Sequence, residues 1–470
     1  MNLTGPIKGD PKLISTFFDL TTAGYLTEEY ILSGTARSYE PAGATGDDGL
    51  WQVRENTYAP FTTRLVVYRP ADPAAFNGSV VTEWLNVTAG ADTPAGWLTT
   101  HRHLLRDGFA WIGVSTQREG IEGGGVFAAR AAEDGAASSI VLPALKQSDA
   151  YRYASLDHPG DAFSYDIFAQ AGAVARRPGG TGVLGPLTAG RVLAMGQSQS
   201  AAYLVTYVNA VAPLGGGFDG YLIHGRPGKP ASLTGWDSRA LEGDVRVRTD
   251  GEAPVIILQS ETDVFGVLSS VGSRQTDDDR LRLWEVAGAA HADTYVLSGA
   301  FTDSGTLTAD ELAALLAPTS APLGTAYAAP INSGPQQHYV AQAAIAALER
   351  WVREGAPPPT ADRLRSGEDH PALPLLDRRG IATGGVRTPW VDVPVAALSG
   401  LGQEGSPAPA FLFGSTRPFD AGTLAALYPS GAAGYRAAFQ AAAEHAVEAG
   451  FLLAADLEEI VALATASFPG

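Results

Sequence analysis

Two rhythms of apolar and polar residues alternate along most of this chain. Short runs rich in Val, Ile, Leu and aromatic residues predict strands over 62–68, 79–87, 109–116, 192–195, 218–224, 254–260 and 280–286. Apolar residues at helical spacing predict helices over 95–106, 162–174, 201–207 and 339–355, the last ended by Gly355 and three prolines. Strands that are apolar throughout, rather than on alternate residues, belong to sheets covered on both faces, and strand-helix alternation makes such a sheet parallel. The pattern predicts a doubly wound α/β sheet with its site at the carboxyl ends of the strands.

Polar, Gly-rich sequence interrupts the rhythm at about 117–160 and 225–252, and 292–337 is rich in loops. Long loops at the strand ends are where such folds vary, so these segments are expected to cover the site as a lid. Residues 1–359 therefore read as one catalytic domain with lid insertions. Residues 360–470 read as a C-terminal extension packed on it, with an irregular start and helices at 434–448 and 455–465.

The most informative stretch is Arg191-Val-Leu-Ala-Met-Gly-Gln-Ser-Gln-Ser200, a short apolar run that meets a helical pattern through a small-residue turn. A serine on such a turn has its hydroxyl pushed out of the sheet, and the next N–H lies at a helix N-terminus. Ser198 is thus the candidate nucleophile and Gln199 N–H a candidate oxyanion donor. Gly196 fits the close approach of strand and helix, and Ser200 takes the place of the usual second glycine.

A serine hydroxyl needs a base, and the base needs an orienting partner. The strand ending at Ser260 runs into Glu261-Thr-Asp263, and the strand ending at Val286 runs into a loop carrying His291. The chain order serine, acid, histidine is that of α/β-hydrolases. His291 is the candidate base and Asp263 the acid, with Glu261 as the alternative. On an extended segment Glu261 and Asp263 share a side, so alternation cannot choose between them; Asp263 is favoured because it sits further into the loop, where the histidine's loop approaches, and because its shorter side chain loses less rotamer freedom. The second oxyanion donor is expected from Val87 or Thr88, with Asn86 bracing that turn. Gln117 and Arg118, at the rim, are candidates for substrate contact.

The remaining histidines carry weaker signals. His158 and His224 fall in or beside inserted loops, His338 opens a helix, and His101-Arg-His103 reads as a surface or interface feature. No ligand spacing points to a metal, and no Gly-rich phosphate or dinucleotide fingerprint follows a strand, so no cofactor is implied.

Composition narrows the classes. A net charge of −18, from 32 basic and 50 acidic residues, with no basic cluster, argues against nucleic acid or an anionic membrane as partner. The absence of cysteine excludes thiolate chemistry and disulfides. No segment has the length and apolarity of a membrane span, and the N-terminus lacks a signal-peptide pattern. A soluble protein is expected, cytoplasmic or secreted with its signal removed. The sequence is compatible with a homo-oligomer.

Taken together, Glu83-Trp-Leu-Asn-Val87, Gly196-Gln-Ser-Gln-Ser200, Ser260-Glu-Thr-Asp263 and Gly288-Ala-Ala-His291 resemble the alpha/beta hydrolase domain family of bacteria and fungi, within the α/β-hydrolase superfamily. The resemblance extends to Gly384-Gly-Val-Arg-Thr-Pro-Trp390 and Tyr428-Pro429, covering nearly the whole chain. It implies an α/β-hydrolase fold with an elaborate cap and a Ser-acid-His hydrolase, and it supplies no substrate; the function expected from the residues is that of a cofactor-free serine hydrolase acting on a small-molecule carboxylic ester through an acyl-enzyme. Acyl transfer by the same residues, or ligand binding without catalysis, are the alternatives.

Overall fold

The computed structural model describes residues 1–124, 142–215, 217–235 and 243–469. Nine strands form one sheet: β1 (Asn2–Thr4), β2 (Tyr25–Pro41), β3 (Val53–Pro70), β4 (Ser79–Trp84), β5 (Ala110–Val114), β6 (Arg191–Gln197), β7 (Gly220–His224), β8 (Val255–Ser260) and β9 (Leu281–Val286). Their spatial order is β1-β2-β3-β5-β4-β6-β7-β8-β9. From β5 to β9 all pairs are parallel, and β1, β2 and β3 add an antiparallel edge.

The central strands are buried along their length, apart from Arg191 at the start of β6, as continuous apolar runs require. Alternate residues feed two cores. Val192, Ala194, Tyr221 and Ile223 face a layer built on helices α2 (Ser164–Ala175) and α3 (Gln199–Thr206). Leu193, Met195, Leu222 and Trp284 face a layer built on α1 (Ala95–Arg106) and α4 (Gln336–Glu354). That second core also takes in Tyr435 and Phe439 of α5 (Gly431–Glu448) and Ile460 and Leu463 of α6 (Leu457–Ala466). The C-terminal helices thus share their apolar face with the sheet's own layer.

Three local expectations change. The longest pairing in the sheet, β2 with β3, was read only in part, because β2 has a mixed burial pattern rather than a clean alternation. Residues 261–265 are a helical turn, not an extended segment, because Ser260 caps it: Ser260 Oγ accepts from Asp263 N–H at 3.3 Å, and Asp263 accepts from Ser260 N–H at 2.6 Å. His101 and His103 are buried, not at the surface. His101 Nε2 lies 2.8 Å from the Asp303 carbonyl, and His103 Nδ1 lies 2.5 Å from the carboxylate of Asp107, an exposed residue at the end of the same helix.

Of the segments expected to form a lid, residues 125–141 and 236–242 lie outside the described residues. The described flanks pack beside α2 and α3. Ala231 N–H donates to Ala202 O at 3.1 Å, Tyr165 Oη to Ser232 O at 2.6 Å, and Tyr203 Oη to Asp161 at 3.0 Å.

Candidate functional site

Ser198 stands between β6 and α3 with φ 61° and ψ −121°, a left-handed strained conformation for a residue with a side chain. Such geometry costs about 1–3 kcal/mol and persists only where the surroundings impose it. They do so here: Ser198 N–H donates to His224 O at 2.9 Å, and a Cβ on Gly196 would lie 2.9 Å from Ser200 O. The serine itself is half-buried, whereas its neighbours on both sides are buried. Gln199 is the first residue of α3, so its N–H has no acceptor within the helix.

Asp263 and His291 meet although they lie on different loops. His291 Nδ1 is 2.6 Å from Asp263 Oδ1, and Asp263 is fully buried, its other oxygen held by Ser260 N–H. This Nδ1 contact fixes one ring nitrogen and leaves Nε2 for another partner. Gly225, at φ +62°, lets the chain pass beside the pair: a Cβ there would lie 3.1 Å from His291 Cε1 and 3.4 Å from Asp263 Oδ2. Because the preceding residue, His224, accepts the Ser198 N–H, the dipeptide His224-Gly225 touches the serine on one side and the acid–histidine pair on the other.

Glu261 points elsewhere. Residues two apart on a helix are about 200° apart, so the helical turn separates the two carboxylates that an extended segment would have placed together. Glu261 accepts from Ser399 Oγ at 2.6 Å and from Gly288 N–H at 3.1 Å, and burial raises its pKa above the ordinary value.

On the opposite rim the loop after β4 is tied to the serine strand, with Asn86 Nδ2 donating to Gln197 O at 3.0 Å. Thr88 N–H is engaged by Asn86 Oδ1 at 2.7 Å, since Asn86 closes its own turn. Val87 N–H faces the Gln199 side-chain oxygen at a long 3.4 Å. Gln117 is buried and accepts from Trp84 Nε1 at 3.2 Å, so its amide is turned inward. Arg118 is exposed at the rim, its N–H bonded to Asp161 at 2.8 Å. One carboxylate supports this rim from below: Glu83 accepts from Gly96 and Trp97 N–H at the start of α1 and from Trp111 Nε1, and burial pushes its pKa up to about 7.

Sequence reasoning gave His224 only a weak signal beside an inserted loop and assigned no role to Gly225 or Thr262. His224 is buried with Nε2 3.0 Å from the Gln337 amide, and burial brings its pKa down to about 4, so the ring is neutral. Of Gly225 and Thr262, only the glycine, immediately after a strand, offered a signal. Among the described residues no three His, Asp or Glu side chains come together as a metal site. Nor is any helix among them long and apolar enough to cross a membrane.

A family model described as alpha/beta hydrolase domain matches residues 3–462. The chain belongs to this family. No curated protein matches it. Among solved structures, this member of the family is similar to one of two fungal esterases from Rhizomucor miehei, at 10% identity over 69% of this chain and 85% of that one, with a TM-score of 0.32. It is also similar to a serine hydrolase without lid from Xanthomonas campestris, at 11% identity over 54% and 83%, TM-score 0.28. A carboxylesterase from Lactobacillus plantarum is similar at 11% identity over 51% and 78%, TM-score 0.28.

Proposed function

We propose that this protein hydrolyses a small-molecule carboxylic ester through a covalent acyl-enzyme on Ser198. What carries the reading is the 2.6 Å contact of Asp263 with His291 Nδ1, reached through the same His224-Gly225 dipeptide that anchors the strained serine. His291 Nε2 takes the Ser198 proton as Oγ attacks the carbonyl carbon. Asp263 holds the imidazole in the required tautomer and stabilises the imidazolium. Collapse of the tetrahedral intermediate expels the alcohol, which receives that proton, and leaves the acyl group on Ser198. Water then attacks the acyl carbon with His291 again as base, releasing the acid and restoring the serine.

The oxyanion is assigned to Gln199 N–H, with Val87 N–H as second donor, since Thr88 N–H is already engaged at 2.7 Å. For Val87 to serve, the Gln199 side chain must yield its 3.4 Å contact to the substrate oxygen. Arg118 is the rim residue assigned to substrate contact, and the lid role of the two insertions belongs to the same proposal. Incubation with a short-chain p-nitrophenyl ester and with a fluorophosphonate probe tests the reading. Wild type should turn over the ester and be labelled, and Ser198→Ala should do neither. Equal turnover in both proteins would overturn it.

A further inference from the structure

The loops bearing Asp263 and His291 are joined by a third segment that comes from the C-terminal part of the chain. His291 N–H donates to Thr262 Oγ1 at 3.2 Å, and the Thr262 hydroxyl donates to Gly400 O at 2.6 Å. A hydroxyl has one proton. Spending it on Gly400 turns the threonine oxygen's lone pairs toward His291, so the remote carbonyl sets the polarity of the contact that holds the histidine's backbone.

The same segment is fastened on both sides of that contact. Ser399 Oγ donates to Glu261, whose other oxygen accepts from Gly288 N–H in the histidine loop. Asn332 Nδ2 bridges Gly288 O at 2.8 Å and Ser399 O at 2.9 Å. Gly400 leaves no room for a side chain: a Cβ there would lie 2.4 Å from Thr262 N and 2.7 Å from Ala289 O. Further back, Val386 extends the sheet edge, with its N–H on Glu285 O at 2.6 Å and its O accepting from Ala287 N–H at 3.1 Å. The segment thus grips the histidine loop at its root and near its tip.

We propose that residues 386–400 form a clasp on the active site, with Thr262, oriented by Gly400, as a positioning residue that sets His291 against Asp263 during ester hydrolysis. The proposal rests on the serine-hydrolase reading above. A displacement of about 1 Å at a reacting group costs on the order of a hundredfold in rate, so a backbone tether to the general base is enough to govern turnover.

The test is Thr262→Val, which keeps the shape and removes both hydrogen bonds, beside Thr262→Ser, which keeps them. In the valine variant kcat should fall roughly tenfold to a hundredfold with KM near wild type, as for a change acting through the base. The downfield proton resonance of His291 Nδ1–H should shift or broaden with it. The serine variant should recover most of both, which loss of packing alone would not do. A folded valine variant with wild-type kcat and resonance, or a serine variant as slow as the valine one, would overturn the clasp. If Thr262→Val does not fold, Ser399→Ala takes its place: a lowered kcat and a moved resonance support the proposal, and unchanged values of both overturn it. Fluorophosphonate labelling of wild type separates the two levels. An unlabelled wild type overturns the hydrolase reading and the clasp together, whereas a labelled one with unaffected variants overturns the clasp alone.

Discussion

At the serine turn the special geometry is concentrated in one residue. Ser198 sits at φ 61°, and its neighbours Gly196 and Ser200 are two positions away in the chain. At the acid–histidine end the backbone of Asp263 and of His291 is free of positive φ, and the geometry is instead distributed. Contacts there come from Gly225, Ser260, Thr262, Gly288, Asn332, Ser399 and Gly400, on segments far apart in sequence. The serine turn is tight because little space separates strand from helix, so its tolerance of change is set by sterics at one point. The other end is held by many ordinary bonds, so single changes there should produce graded effects.

Removing the group on which the first end is built gives the largest effect. Ser198→Ala should lower kcat by about 10⁶-fold, to the level that binding and oxyanion donors alone sustain, as read by ester turnover. Asp263→Asn, on the second end, should lower kcat on the order of 10⁴-fold by favouring the wrong histidine tautomer, with an unchanged circular-dichroism spectrum. A rate within tenfold of wild type would remove Asp263 from the assigned role.

Gly225→Ala probes the point where the two ends touch. It introduces a Cβ 3.1 Å from His291 Cε1 on a backbone at φ +62°, and kcat should drop by roughly a hundredfold while fluorophosphonate labelling slows in parallel. Glu261→Gln should cost less than any of these, because the amide keeps one acceptor for Ser399 or Gly288. If the glutamine variant is inactive while Asp263→Asn keeps near-normal turnover, the two carboxylates exchange roles.

The smallest effect concerns stability rather than rate, on the serine's side of the site. Glu83 has its pKa raised from 4.5 to about 7 by burial, so the folded protein holds this proton more tightly than the unfolded chain does. Its contribution to stability is therefore complete below about 4.5 and is lost as pH rises through about 7. Glu83→Gln, which cannot titrate, should show a smaller fall in Tm than wild type between pH 5 and pH 8. Its Tm should be lower throughout, because an amide NH₂ replaces one of the oxygens that Gly96, Trp97 and Trp111 address. Parallel Tm curves would show that Glu83 does not titrate in this range.

The central strands β4 to β9 and the helices α1 and α4 were legible within a few residues, because apolar runs and helical spacing are local consequences of burial. The Gly196 to Ser200 turn was legible for the same reason: a sharp strand-to-helix turn leaves its signature in adjacent residues. A local signal was passed over at Ser260-Glu-Thr-Asp263, where a capping box between residues three apart starts a helical turn and sends the two carboxylates opposite ways. Local pattern failed where partners are distant. His101 and His103 read as polar, yet carbonyl and carboxylate partners in the folded chain let them be buried.

The sequence by itself therefore determined the alternation of strands and helices, the order serine, acid, histidine, and the turn that strains Ser198, each encoded in residues next to one another. Which carboxylate meets His291 and how residues 386–400 return to the site were decided only by tertiary structure. Those outcomes are hydrogen bonds between residues separated by up to 138 positions, as in Thr262 to Gly400, and a bond at that range leaves no periodic mark on either sequence.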